Sequence, residues 1–134
     1  MESKIRDLRQ EIFKFEQLSN FDKSDFFVSE CNYFAFNLIN SWPNWEKKIL
    51  NIYGERKSGK SHLSEIFLEN KKGIKLEFTE LNKKIFDKIK RYENIVIEDF
   101  NERCDEETTY SLIDIVEKEN KYLLITSVKA VNEM

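Results

Sequence analysis

Eight consecutive residues constrain the fold of this chain more than any other stretch. The run GERKSGKS, residues 54–61, places glycines, a lysine and a serine at the spacing G-x-x-x-x-G-K-[ST]. Glycines allow a loop whose backbone N–H groups turn inward around phosphate oxygens, and a helix after the loop points its positive end to the same place. An apolar run, 49–53, precedes the loop and a helix-like run, 62–70, follows it. The stretch therefore predicts a strand, a phosphate-binding loop and a helix.

The loop residues define the predicted contacts with a nucleotide phosphate and its Mg²⁺. Lys60 would reach the β- and γ-phosphates, and the Ser61 hydroxyl would bind the metal. The other predicted cofactor contacts are Gly54, Glu55, Arg56, Lys57, Ser58, Gly59 and His62, the last expected to serve mainly in helix packing. The alternative is a fortuitous lysine-rich turn, which is disfavoured because two of the three glycines in the chain fall within this motif.

Length and charge narrow the class of protein. The chain has 134 residues, of which 40% are hydrophobic, enough for one core. Its 22 basic and 25 acidic residues are mixed along the chain and give a net charge of −3, so direct DNA binding is not expected. No run approaches the ~20 apolar residues of a membrane span, and the N-terminus lacks the apolar centre of a signal peptide, so we expect a cytoplasmic protein without a membrane partner. Cys31 and Cys104 fit no zinc or C-x-x-C spacing and are assigned no role.

Strand-like and helix-like runs alternate after about Ile49, which is typical of a parallel α/β sheet. The predicted strands are 49–53, 74–78, 94–98 and 122–126. A helix with Thr79 as N-cap would bury one apolar face, formed by Leu81, Ile85 and Ile89. A later helix after Asp105 would bury Leu112, Ile113 and Val116. The predicted fold is a three-layer P-loop NTPase sandwich with a four-stranded parallel sheet.

The run NIVIEDF, residues 94–100, is an apolar strand that ends in two carboxylates. Behind a phosphate loop, such a pair holds Mg²⁺ through its water shell and polarises an attacking water. By position, Glu98 is the predicted metal-side acid and Asp99 the predicted catalytic acid, although the order Glu-Asp inverts the usual Asp-Glu or Asp-Asp. The alternative is a solvated loop that merely follows a strand.

These runs together resemble the AAA+ module of DnaA-type replication initiators, and most of all their Hda-like relatives, the regulatory inactivators of DnaA. The resemblance rests on FVS with Asn32 and Ala35, on WPNW, GKSHL and IVIEDF, on the helix-like EETTYSLIDIVEKEN, and on YLLITS. It covers about residues 17–127. It implies an adenine nucleotide, ATP or ADP with Mg²⁺, and a role in regulating the initiation of chromosomal replication through protein contacts.

The resemblance also implies roles for individual residues. Phe27 and Val28 would line an adenine pocket, and Asn32 would shape the start of the next helix. Thr126 and Ser127 occupy the sensor-one strand, which in the family watches the γ-phosphate. Core packing for the first pair and strand-end capping for the second are equally open alternatives.

Residues 1–21 are predicted as an N-terminal unit ahead of a nucleotide-binding domain at 22–134. An amphipathic helix, which would pack on the body or on a second copy, is indicated by Ile5, Leu8, Ile12 and Phe15. In EQLSNF, the residues Gln17, Leu18 and Phe21 resemble the peptide through which Hda-like proteins bind the replication sliding clamp. A helix end followed by a turn is the alternative. The implied partners are a DnaA-type initiator, the sliding clamp or a second copy.

Only VKAVNEM follows YLLITS in this sequence, whereas the family continues with a fifth strand, an arginine finger and a helical lid. The resemblance therefore implies a truncated domain with weak hydrolysis, since such arginines contribute about 10³ to 10⁵ in rate. Arg103, the only basic residue near the acid pair, lacks the context of a finger. Without a fifth strand, residues 49–53 would form an edge that the N-terminal segment or a partner covers. A slow stand-alone ATPase and a nucleotide-independent interaction module are the alternative functions.

Overall fold

A single parallel sheet organises the part of the chain that the computed structural model describes, residues 26–45, 47–69 and 72–133. Its five strands are β1 (Phe26–Glu30), β2 (Ile49–Tyr53), β3 (Gly73–Glu77), β4 (Asn94–Phe100) and β5 (Tyr122–Ser127). Their spatial order is β1-β2-β5-β4-β3, and every neighbouring pair is parallel. The α/β class and the parallel sheet predicted from the alternating pattern are confirmed.

Four α-helices connect the strands: α1 (Tyr33–Asn40), α2 (Lys60–Leu68), α3 (Phe86–Ile89) and α4 (Glu106–Lys118). Side chains on the two faces of the sheet form separate apolar clusters, as expected for a parallel sheet covered on both sides. On one face, Leu50 and Ile52 pack with Leu63 and Phe67 of α2. The opposite cluster contains Ile49, Ile95, Ile97, Leu123 and Ile125 together with Leu112, Ile113 and Val116 of α4. Helices and sheet therefore form layers.

Strand β1 corrects the prediction of a four-stranded sheet. It runs parallel to β2 with Val28 opposite Asn51, so β1 and not β2 lies at this edge. The prediction was wrong because only the first three residues of β1, Phe26, Phe27 and Val28, are apolar, and so short a run does not let periodicity separate a strand from a loop. Strand β2 is paired on this side by residues 26–30, and not by the N-terminal segment or the partner that the sequence led us to expect.

The segment 78–89 also departs from the prediction of one continuous helix. It consists of two 3₁₀ segments, Phe78–Glu80 and Lys83–Ile85, followed by α3. Thr79 is not an N-cap; Glu77 caps the first segment with Glu80, and the Asn82 side chain accepts from Lys84 N–H. The predicted apolar face is nonetheless correct. Leu81, Ile85 and Ile89 are all buried in the apolar cluster that also contains the buried residues of α4.

Other local predictions are confirmed. Asn32 is the N-cap of α1, and its side-chain oxygen accepts from Phe34 N–H and Ala35 N–H. Helix α4 begins after Asp105 and buries the three predicted residues Leu112, Ile113 and Val116. The role of Asn32 was implied by the family resemblance, whereas the buried face of α4 follows from its 3.6-residue period, a local signal that depends little on the rest of the fold.

A buried asparagine ties β2 to the segment beyond β5. The side chain of Asn51 donates to the Ile125 carbonyl at 3.1 Å and to Ser127 Oγ at 3.0 Å, and it accepts from Val131 N–H at 2.9 Å. These bonds pair the polar atoms of a fully buried side chain and fix where the chain turns after β5.

The predicted N-terminal unit, including the amphipathic helix and the clamp-binding residues Gln17, Leu18 and Phe21, lies outside the described residues. In the part of the chain that the structure does describe, none of the helices has the length and apolar character needed to cross a bilayer.

Candidate functional site

A cleft of about 1070 Å³ opens at the carboxyl ends of the central strands. One wall is formed by the phosphate loop and the first residues of α2. The other wall is formed by the turn after β4, residues 99–103, and by Val128 and Lys129 after β5. Because the carboxyl ends of parallel strands meet at one edge of a sheet, ligands of α/β proteins bind in this position. The cleft is the candidate site.

The phosphate loop has the backbone geometry that its glycines predict. Gly59, the N-cap of α2, has φ of 101°, and Lys57 has φ of 67°. A Cβ on Gly54 would lie 2.8 Å from Ser58 Oγ and 3.2 Å from Cys31 Cβ, so the loop closes tightly on itself at this point. Gly54 N–H donates to the Ser127 carbonyl at 3.0 Å and anchors the loop to β5. The backbone is thus shaped to curve around a small anion.

Lys60 lies under the loop and is only 8% exposed. Its Nζ donates to the Gly54 carbonyl, to the Glu55 carbonyl at 2.8 Å and to Ser58 Oγ at 3.4 Å. A buried ammonium needs such partners because its desolvation is costly. Phosphate oxygens are stronger acceptors than these neutral groups, so a bound phosphate could take over the same donors.

Ser61 and His62 are exposed and line the cleft beside Lys60. Both lie in the first turn of the nine-residue helix α2, where backbone N–H groups have no partner within the helix. The predicted contacts that line the cleft are Arg56, Lys57, Gly59, Lys60, Ser61 and His62, whereas Gly54, Glu55 and Ser58 do not line it. His62 is exposed, so the expectation that it serves mainly in helix packing is wrong.

Asp99 reaches the cleft through an irregularity in β4. The register between β4 and β5 shifts between Ile97 and Phe100, and Asp99 has φ of 57°. Its N–H donates to Thr126 Oγ1 at 3.2 Å. A bulge of this kind re-aims one side chain at the rim of a sheet. The exposed Asp99 carboxylate therefore shares the cleft with Lys60 and Ser61.

Glu98 has a different environment from Asp99. It is 6% exposed, and its Oε1 lies 3.4 Å from Lys75 Nζ, an ion-pair contact without hydrogen-bond geometry. Burial, and then the neighbouring carboxylates of Asp99 and Glu98, raise the pKa of Glu77, which lies across from Glu98 on β3. Glu98 does not line the cleft that contains Ser61.

The two predicted metal contacts are therefore not brought to one cavity. Among the described residues, no group of three histidine, cysteine or acidic side chains is arranged around a common point as metal ligands. Mg²⁺ in nucleotide sites takes one or two protein groups and completes its shell with phosphate oxygens and water. The exposed Ser61 hydroxyl suits that role, whereas Glu98 is already paired with Lys75.

Thr126 and Ser127 hold strand ends together. Thr126 accepts the Asp99 N–H, while Ser127 Oγ accepts from Asn51 and donates to the Lys129 carbonyl at 2.6 Å. Both residues are buried, and neither lines the cleft. They lie directly behind it, where they position Asp99 and Lys129.

The predicted adenine contacts lie elsewhere. Phe27 lines a separate cavity of about 260 Å³ together with Phe34, Trp45 and Leu50. Val28 packs against the core cluster on the opposite face of the sheet. The structure therefore does not bring these two residues into the cleft with the phosphate loop.

Sequence reasoning gave Arg103 no role and missed Lys129, although both line the cleft opposite the loop. Each lies a few residues beyond the end of a predicted strand. In a parallel sheet all such turns meet at one edge, so a search for charged residues just past each strand would have found them.

No family model matches this sequence, and comparisons with curated proteins and with solved structures give no significant match.

Proposed function

We propose that this protein binds an adenine nucleotide, ATP or ADP with Mg²⁺, in the cleft beside residues 54–61. One observation carries the proposal: a loop with the G-x-x-x-x-G-K-[ST] spacing joins the carboxyl end of a central strand to a helix N-terminus, with Lys60 folded beneath it. Backbone N–H groups, the helix end and the ammonium all favour a phosphate at this point.

The sheet order supports a P-loop architecture of the AAA+ type. Strand β2 lies between β5 and β1, and the acid-bearing β4 lies beyond β5. The place that the resembling family gives to its fifth strand, beside the strand that leads into the phosphate loop, is occupied here by β1. Strand β1, which precedes the phosphate loop in the sequence, thus lies where the family has a strand from later in its sequence.

The biological setting is proposed from the motifs alone. The resemblance to DnaA-type initiators and their Hda-like relatives supports adenine as the base and the regulation of chromosomal replication initiation as the role. The protein would then act through contacts with an initiator, the sliding clamp or a second copy. Phe27 and Val28 would contact adenine only in a nucleotide pose that reaches beyond the cleft.

The first experiment compares the thermal unfolding of the wild type, Lys60→Ala and Lys88→Ala with ATP, ADP or GTP in the presence of Mg²⁺. Lys88 is an exposed lysine outside the cleft and serves as the matched control. A ligand of the folded state stabilises it by about 2.7 kcal/mol at a hundredfold excess over Kd. We expect adenine nucleotides to raise the midpoint of the wild type and of Lys88→Ala, but not of Lys60→Ala.

The absence of any shift in the wild type would contradict nucleotide binding and favour an interaction module that keeps the loop only as architecture. In that case Lys60→Ala would leave partner binding unchanged. An equal shift with GTP would contradict the preference for adenine while preserving the phosphate site.

A slow ATPase is a second candidate, favoured by the exposed carboxylate of Asp99 in the cleft. Asp99→Asn should abolish single-turnover hydrolysis while preserving ATP affinity, since the amide cannot accept a proton from water. Hydrolysis at the wild-type rate in Asp99→Asn would assign the reaction to another group.

A further inference from the structure

The cleft is far more positive than the protein that contains it. It is lined by the cations Arg56, Lys57, Lys60, Arg103 and Lys129 and by the carboxylates Asp99 and Glu102. Five positive and two negative side chains give it a formal charge of +3, whereas the whole chain carries −3. A concentration of positive charge in one cavity of an acidic protein favours a ligand with several negative charges.

The cations are divided between the two walls. Arg56, Lys57 and Lys60 belong to the phosphate loop, while Arg103 and Lys129 lie on the facing wall. A phosphate loop surrounds the phosphates nearer the nucleoside, and its lysine reaches toward the terminal ones. The facing wall is therefore where a terminal phosphate would find additional positive charge.

The turn that carries Arg103 is held by its own hydrogen bonds. Asn101 Oδ1 accepts from Arg103 N–H at 2.8 Å, and Asn101 Nδ2 donates to the Asp99 carbonyl at 3.1 Å. The next residue, Cys104, is buried, and its N–H donates to the Asn101 carbonyl at 3.1 Å. The backbone positions of Arg103 and Asp99 are thus fixed relative to each other, so the Arg103 side chain extends from a defined point on the cleft wall.

The Arg103 side chain is available to a ligand. It is exposed, and within the described part of the chain no carboxylate lies at ion-pair distance from its guanidinium. A guanidinium matches two oxygens of one phosphate with parallel N–H donors.

We infer that the ligand is a nucleoside triphosphate rather than a diphosphate, and that Arg103, assisted by Lys129, contacts its terminal phosphate. This inference rests on the proposed nucleotide-binding function. Arg103 would thus distinguish a nucleoside triphosphate from a diphosphate without a residue from a second chain.

The test measures Kd for ADP and for an ATP analogue with a β,γ-imido bridge by calorimetry, in the presence of Mg²⁺. The proteins are the wild type, Arg103→Ala, Arg103→Lys, Lys129→Ala and the control Arg91→Ala, an exposed arginine outside the cleft. A hydrogen bond to a charged group contributes about 1.5–3 kcal/mol, equivalent to about ten- to a hundredfold in Kd. We expect Arg103→Ala to weaken triphosphate binding by that factor and to leave ADP binding unchanged. The triphosphate affinities of Arg103→Lys and Lys129→Ala should lie between those of the wild type and Arg103→Ala.

Four results would overturn the inference. If the wild type binds both nucleotides equally, or if Arg103→Ala preserves the ratio of the two Kd values, nucleotide binding stands but the role of Arg103 is wrong. If Arg91→Ala lowers the ratio as much as Arg103→Ala, the effect is general electrostatics. If the wild type binds neither nucleotide, the proposed function fails together with the inference.

Discussion

Gly59 shows how much of the site depends on a single backbone conformation. Its φ of 101° places it where L-residues with a side chain are strained, yet a Cβ added there would meet no atom within 4 Å. A side chain at this position would therefore strain the backbone without clashing with neighbouring atoms. The residue turns the chain into α2 and so directs the first N–H groups of the helix toward the cleft.

We predict that Gly59→Ala lowers the free energy of unfolding by about 1–3 kcal/mol, entirely through backbone strain. Gly59→Asn should cost less, because asparagine tolerates positive φ better than alanine. Urea unfolding of the two variants and of Arg56→Ala, an exposed loop residue that serves as the control, measures the difference. Equal stability of Gly59→Ala and the wild type would mean that the loop relaxes to another conformation.

The pKa of Glu77, at the end of β3, depends on its acidic neighbours. Burial and the carboxylates of Asp99 and Glu98 raise the pKa of Glu77 above its ordinary value of 4.5. A raised carboxyl pKa contributes stability that is fully present below pH 4.5 and is lost as pH rises through the folded-state value.

Glu77→Gln should therefore be more stable than the wild type at neutral pH, and this advantage should vanish below pH 4.5. Thermal midpoints of both proteins across the pH range give the difference directly, because the other titrating groups are common to both. Glu93→Gln, an exposed residue distant in sequence, is the control. An advantage that persists in acid would have to arise from packing rather than ionisation.

At the level of elements, the accuracy of sequence reasoning depends on how local the signal is. β2 has the predicted bounds, and α4 buries its predicted face. The 78–89 segment fails as a continuous helix because Glu80 and Asn82 cap shorter segments within it. Prediction of the site depends on the same distinction. Residues 54–61 form a contiguous motif that can be recognised in the sequence. Arg103 and Lys129 lie in the same cleft only because the strand ends meet in the folded sheet.

Strand β1 offers a test of sheet closure. Cys31 N–H donates to the Tyr53 carbonyl at 2.7 Å. Amide directions alternate along a strand, so Ser29 also turns its N–H toward β2, whereas Val28 turns its N–H away from β2. Ser29→Pro should remove a ladder bond and detach β1, exposing the edge of β2.

The expected result is concentration-dependent association of Ser29→Pro in sedimentation experiments. Val28→Pro, which places the same ring on the side of β1 away from β2, should remain closer to the wild type. If both variants behave as the wild type, β1 contributes little to the sheet, and β2 is covered by something else.

At the scale of the whole molecule, charge is segregated. The chain is acidic, with a net charge of −3, but its cleft gathers five cations. Such an arrangement repels anions at a distance and attracts them at the cavity mouth, where low-dielectric walls concentrate the field. Nucleotide binding should therefore respond to ionic strength.

We predict that nucleotide affinity falls as salt rises from about 0.01 M to about 0.15 M, over which the Debye length shortens from about 30 Å to about 8 Å. Lys129→Ala should show a weaker salt dependence than the wild type, while Lys88→Ala, a lysine outside the cleft, should not. Equal reductions of the slope in Lys129→Ala and Lys88→Ala would mean that the cations act as a diffuse field, and identical slopes for all three proteins would mean that Lys129 does not interact with the nucleotide.

The contact between Cys31 and the phosphate loop has a practical consequence. Cys31 Sγ donates to the Ser58 carbonyl at 3.3 Å and is partly accessible, whereas Cys104, the second of the two cysteines in the chain, is buried. A small environment-sensitive fluorophore would therefore attach at one position without prior mutagenesis. The natural sequence thus already provides an attachment point for an optical reporter in contact with the loop.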